Sequence, residues 1–208
     1  METGDVLAVL AEAVRQMSGW EVVAVVLAVA YLVLAARENI WCWAAAFAST
    51  LIYIFLFFDV SLFLESALNV FYLVMAVYGW YQWRHLSGGE EDLHVSVWPL
   101  HVHLILVPVT FAFVFVTGFV FSKTTTAALP YVDAFTTWFG VVTTYMVTKK
   151  ILENWLYWFV IDSVSIYLYI NRGLYLTALL FVIYLVIIVF GYLKWKGEYE
   201  QTRFKDGV

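Results

Sequence analysis

A single cysteine, Cys42, is all the thiol chemistry this 208-residue sequence offers. It sits inside an apolar run without a partner, which excludes a disulfide and a thiolate metal site and leaves a small packed residue as its expected role. Charge is scarce too: Asp, Glu, Lys and Arg make up 13% of the chain and sum to −5. No stretch gathers the lysines and arginines that neutralise a phosphate backbone, so no nucleic-acid partner is expected. Catalytic signatures are missing. Without Gly-x-Ser-x-Gly, His-Glu-x-x-His or a Walker loop there is no sign of an enzyme, nor of a nucleotide site that could power a pump. The histidines are His85, His94, His101 and His103. Two residues apart, His101 and His103 diverge on a helix, so neither a metal nor any other cofactor is expected. Met1 to Asp5 carries acids where a secretory leader carries basic residues, and no cleaved segment is expected.

What is present is hydrocarbon: 64% of the residues are apolar, more than a soluble domain of this length can hide. Trp20 to Ala36, Trp43 to Phe58 and Leu174 to Leu193 run for 16 to 20 residues almost without charge, close to the ~20 that cross ~30 Å of lipid as helix. No ~10-residue strict alternation supports a barrel, so the class is an all-α membrane protein. Polar punctuation such as Arg37-Glu38-Asn39 and Asn171-Arg172-Gly173 predicts seven spans, at 20–36, 40–58, 61–83, 99–122, 134–149, 154–171 and 174–195. Residues 1–19, with Val6, Leu7, Leu10, Val14 and Met17 at helical spacing, predict an amphipathic segment lying at the surface. Residues 20–83 then form a first three-helix bundle, 84–122 a loop and linking helix, 123–196 a second bundle, and 197–208 a cytoplasmic tail. Pro99 and Pro108 predict that the linking helix is entered sharply and kinked.

Lysines and arginines fall eight on one side (Arg37, Arg84, Lys149, Lys150, Lys194, Lys196, Arg203, Lys205) and three on the other (Arg15, Lys123, Arg172). That asymmetry predicts the N-terminus outside and the C-terminus in the cytoplasm.

The sequence also repeats. LNVFYLVMAVYGWYQW, Leu68 to Trp83, returns as LFVIYLVIIVFGYLKW, Leu180 to Trp195, with eight identities in sixteen positions at a separation of 112. Glu38-Asn39 with Trp43 returns as Glu153-Asn154 with Trp158, a separation of 115. Three spans, one linking span and three more make the two repeats parallel, entering the membrane from the same face, as in carriers whose ligand sits between two rocking bundles. A seven-helix retinal protein would need a lysine near the middle of the last span, where only Lys194 and Lys196 occur, at its end.

Ionisable groups inside spans mark pathways. Asp162 lies eight residues past Asn154, about 12 Å along the helix. Trp155, Trp158, Asp162, Ser165 and Tyr169 step by three and four along one face, which suits a flat cationic heterocycle: rings stack, and the carboxylate meets the cation. The alternative is that Asp162 bonds a neighbouring hydroxyl as packing glue. Asn69 and Glu65 lose their identity between the repeats and are candidates for reading an asymmetric ligand, Glu65 equally as an entrance residue. Tyr72, Trp43, Ser49, Thr50 and Thr144 complete the candidate set. Many threonines here are expected to bond their own helix.

Tyr78-Gly79-Trp80-Tyr81-Gln82-Trp83 and Glu153-Asn154-Trp155-x-x-Trp158 resemble the PnuC family of bacterial vitamin transporters over residues 37–84 and 149–196. The resemblance implies a three-plus-one-plus-three fold similar to full-length SWEET carriers, a homotrimer in the bacterial inner membrane, and uptake by facilitated diffusion with trapping by a cytosolic kinase. It implies a small cationic vitamin as ligand, nicotinamide riboside first and thiamine as the alternative, with riboflavin also a family substrate. Coupling to protons or cations and a seven-helix receptor are the further alternatives. The family's Trp-x-x-x-Asn is here Trp158-x-x-x-Asp162, a form similar to thiamine and riboflavin members.

Overall fold

The computed structural model describes residues 17–59, 63–85, 93–124, 129–171 and 174–205. The expected amphipathic segment lies almost wholly outside them. Among the described residues seven helices appear in chain order: α1 Gly19–Ala36, α2 Trp41–Asp59, α3 Phe63–His85, α4 Leu100–Thr124, α5 Pro130–Thr148, α6 Asn154–Asn171 and α7 Tyr175–Lys205. Four of them, α1, α2, α4 and α7, are long and apolar enough to cross a membrane by composition alone. The others, α3, α5 and α6, hold most of the polar candidates, as expected if they line an interior and leave the lipid-facing work to their neighbours. Helix α7 runs on through Lys205, so most of the stretch expected to be tail is helical.

Local chemistry sets the ends. Ser18 caps α1 with a reciprocal pair, its Oγ accepting from the Glu21 N–H while its own N–H donates to the Glu21 carboxylate. Such a box is worth about 1 kcal/mol. Pro130 opens α5, where its missing N–H costs nothing. At the far ends of α1 and α5 the same turn is built twice. Asn39 N–H donates to Leu34 and Glu38 N–H to Ala35, and in the second turn Ile151 donates to Met146 and Lys150 to Val147. This double bond pattern normally places glycine in the left-handed position. Here Glu38 and Lys150 occupy it, at φ 54° and 51°. The local geometry thus follows the register of the longer repeat, Leu68 to Trp83 on Leu180 to Trp195, and not the register suggested by the Glu-Asn pairs. Trp43 corresponds to Trp155, not to Trp158, because turn backbone and not two shared letters sets the register.

Helices α1, α2 and α3 pack in sequence, as do α5, α6 and α7, and the two sets meet through α1 on α7 and α3 on α5. Helix α4 lies along α5. The segment before it docks on the α5–α6 turn: Ser96 N–H donates to Lys150 O, Leu152 N–H donates to Ser96 O, and Trp98 N–H donates to the Glu153 carboxylate. Apolar side chains such as Phe55, Leu104, Ile105, Val116 and Phe190 point outward from the bundle, the pattern of a protein whose solvent is lipid.

Candidate functional site

Near the end of the molecule that carries the α1–α2 and α5–α6 turns, tryptophans form a closed layer. A Cβ at Gly191 would fall 2.6 Å from the Trp155 ring, and one at Gly79 would strike the Trp43 ring. Each indole therefore lies against the bare backbone of a helix where no other residue fits. Trp43 meets Trp83 edge-on at 5.4 Å and Trp155 meets Trp195 in the same way at 5.4 Å. Trp83 and Trp195 are 6.2 Å apart, and Trp195 Nε1 donates to Ala35 O across the two halves. All four are buried, as is Cys42 beside them. Trp43 and Trp155, expected to face a ligand, are placed by the structure in this layer.

Beyond the layer stands Asp162, 3% exposed. Among the described residues no cation pairs with it and no donor bonds it. Its electrostatic neighbours are the phenols of Tyr72 on α3 and Tyr184 on α7, one from each half and at equivalent places in the repeat. Tyr169, two turns further along α6, and Tyr53 on α2 extend this tyrosine ring away from the tryptophan layer. The hydroxyl of Tyr72 fills the hollow over Gly140, where the edge of Trp158 also approaches. Trp158 is half-buried, and Ser165, one turn past Asp162, is buried. Phe181 lies between Tyr169 and Tyr184, tilted against the first at 5.2 Å and edge-on to the second at 5.5 Å. Phenolic hydroxyls and aromatic rings are thus gathered in the neighbourhood of a buried carboxyl group, the chemistry with which a cationic ring system pairs.

The remaining candidates divide. Ser49 Oγ donates to Ala24 O and so ties α2 to α1. Thr50 and Thr144 donate to Ala46 O and Gly140 O of their own helices. Their protons are committed, which leaves only acceptor lone pairs for a ligand. Asn69 is half-buried on α3 and already engaged within the protein. The side chain of Glu65 lies outside the described residues. Tyr53 and Tyr184 were not candidates from sequence. The identity of Tyr184 with Tyr72 was visible but suggested scaffold, because a sequence does not say that two equivalent rings converge on one carboxylate.

Two further features lie near the turns. Lys150 Nζ is 2.9 Å from the Glu38 carboxylate and 5.0 Å over the Trp83 ring. A cleft of about 550 Å³ opens there, lined by Glu38, Asn39, Ile40, Trp41, Trp83, Arg84 and Lys150. At the start of α4, His103 Nδ1 lies 2.8 Å from the Tyr157 hydroxyl and its Nε2 3.7 Å from Glu153, fastening α4 to α6.

The profile of a family described as nicotinamide mononucleotide transporter matches residues 18–197. The nicotinamide riboside transporter PnuC of Escherichia coli K12 is 26% identical over 187 residues, covering 78% of either chain. The riboflavin/roseoflavin transporter RibM of Streptomyces davaonensis is 25% identical over 168 residues, covering 79% of this chain and 78% of its own. A crystal structure of the vitamin B3 transporter PnuC superposes with a TM-score of 0.72 at 20% identity, over 94% of this chain and 90% of that one. The fold is the same.

Proposed function

The chain belongs to the nicotinamide mononucleotide transporter (PnuC) family, a family of membrane transporters and not of enzymes, and on that premise we propose that it carries nicotinamide riboside across the bacterial inner membrane. The observation that supports this reading is Asp162, buried without a bonded partner among the described residues and flanked by one tyrosine from each half. A carboxylate taken out of water costs several kcal/mol unless a cation compensates it, and the pyridinium of nicotinamide riboside is a permanent one. Trp158 offers the ring a stacking face, and Ser165 offers the ribose a hydroxyl.

In this reading the first and last three helices are parallel repeats around a linking α4, and the ligand sits between them while access alternates by facilitated diffusion. The N-terminus lies outside, three copies assemble, and a cytosolic kinase traps the product. Thiamine is the second reading, supported by the aspartate that closes Trp158-x-x-x-Asp162, since it too carries a fixed positive charge. The riboflavin-carrying relative adds a neutral flavin to the comparison.

Calorimetric titration of the purified protein with nicotinamide riboside, thiamine and riboflavin separates them. Nicotinamide riboside is expected to bind tightest and riboflavin weakest. Preference for riboflavin would overturn the role given to the charge, and heat from none of the three would overturn the carrier reading itself.

A further inference from the structure

We propose that Glu38 and Lys150 form the latch of a gate that closes the path to Asp162 on the side of the α1–α2 and α5–α6 turns, the tryptophan layer being its door. The inference rests on the carrier reading, and several observations support it.

The first is where the pair stands. Both residues occupy the left-handed position of a helix-ending turn, at φ 54° and 51°. Glycine takes that position without strain, whereas a side chain there is disfavoured and persists where it is needed. Two unrelated side chains of opposite charge, at the same point of two matching turns, meet each other at 2.9 Å. They are 19% and 11% exposed, sheltered enough to escape most of the screening that weakens ion pairs in open water.

The second is what the pair joins. Glu38 ends the first helix of one half and Lys150 follows the first helix of the other, so the bond crosses the seam along which the halves would part. Lys150 also lies over the ring of Trp83, and Trp83 faces Trp195 of the opposite half. Holding the lysine therefore holds the door.

The third is what lies on either side. Outward of the pair is the cleft of about 550 Å³, with Glu38, Trp83 and Lys150 in its wall, within the range of small-molecule sites. Inward are the tryptophans and then Asp162. A vestibule, a latch, a door and the buried carboxyl group of Asp162 follow in that order. The α5–α6 turn is anchored by Ser96, whereas among the described residues no such strand pairs with the α1–α2 turn. The first turn is the one that swings.

Cys42 supplies the test. It is the sole cysteine of the chain, fully buried, in the same cluster as Trp43, Trp83 and Trp195. Its rate of modification by a small water-soluble methanethiosulfonate, measured on the full-length protein in detergent well below its unfolding midpoint, reports how often the door opens and requires no vitamin. Failure of the ligand assignment therefore leaves this measurement intact. Glu38→Gly and Lys150→Gly keep the backbone that the turns prefer while deleting the pair. Each is expected to speed modification about tenfold, the factor that loss of ~1.4 kcal/mol of closing free energy produces. The exchange Glu38→Lys with Lys150→Glu restores the pair but not the cation over Trp83, and is expected to bring the rate part of the way back, between those of the parent and the glycine variants. Glycine variants modified as slowly as the parent would overturn the latch. So would an exchange variant modified as fast as the glycine variants, since the two positions would then matter for something other than their mutual attraction.

Discussion

The first three helices and the last three share a frame and differ in what they hang on it. Gly79 with Trp43 matches Gly191 with Trp155, and Trp83 matches Trp195. Inside the frame the correspondence breaks: in the same register, Ala46 stands for Trp158, Thr50 for Asp162 and Asn69 for Phe181. On the proposed reading, equal parts bear load and unequal parts confront the guest. A ligand with a charged ring at one end and a sugar at the other has no two-fold symmetry, so a site that recognises it must spoil the symmetry of its container.

The hardest way to break this comparison is at the frame. Gly79→Ala and Gly191→Ala each push a methyl into a buried indole that has no room to retreat, at the upper end of overpacking costs, about 3 kcal/mol. The two should lower the thermal unfolding midpoint in detergent by the same amount. A large loss for one and none for the other would mean that the halves are not equivalent where they look most alike.

A smaller effect is expected from the unequal parts. Asp162→Asn keeps shape and removes charge, and should weaken a cationic vitamin by about 2 kcal/mol, roughly thirtyfold, while leaving the unfolding midpoint in place. The same titration on the counterpart, Thr50→Val, should show a change below about 0.5 kcal/mol, because the hydroxyl already serves its own helix. Equal affinity in Asp162→Asn would make the carboxylate structural and erase the asymmetry. Last, Ser49→Ala should cost about 1 kcal/mol of stability through its lost bond to Ala24 and leave binding unchanged. Weaker binding there would add Ser49 to the site.

Much of the frame was legible before any coordinates. Apart from the end of α7, which runs ten residues past the expected boundary at 195, the helices fall within a few residues of the expected spans, because long apolar runs and short polar breaks depend on lipid thickness alone. An exception is the start of α5, where Pro130 opens the helix ahead of the expected boundary at Ala134. The interior was legible only along single helices. Trp155, Asp162 and Ser165 do share a buried face, yet Trp155 turns to Gly191 rather than to a guest, because which glycine lies opposite is a property of two helices and not of one. For the same reason Tyr184 and Tyr53 were not counted among the site residues, and the Glu38 to Lys150 bond, whose partners belong to different halves of the chain, was not expected. The recurrence of Glu-Asn was misleading, since two shared letters weigh less than four backbone hydrogen bonds.

The fourth helix has allegiance to one side only. Ser96, Trp98 and His103 bind its beginning to the α5–α6 region, and its length rests on α5. Whatever travel occurs between the halves, α4 goes with the second, so the molecule divides unequally into three helices against four. If the proposed alternation of access holds, the heavier group would be the natural stator and the lighter group, which holds neither Asp162 nor Trp158, the rotor: the vitamin's principal contacts would stay still while the wall opposite them moves.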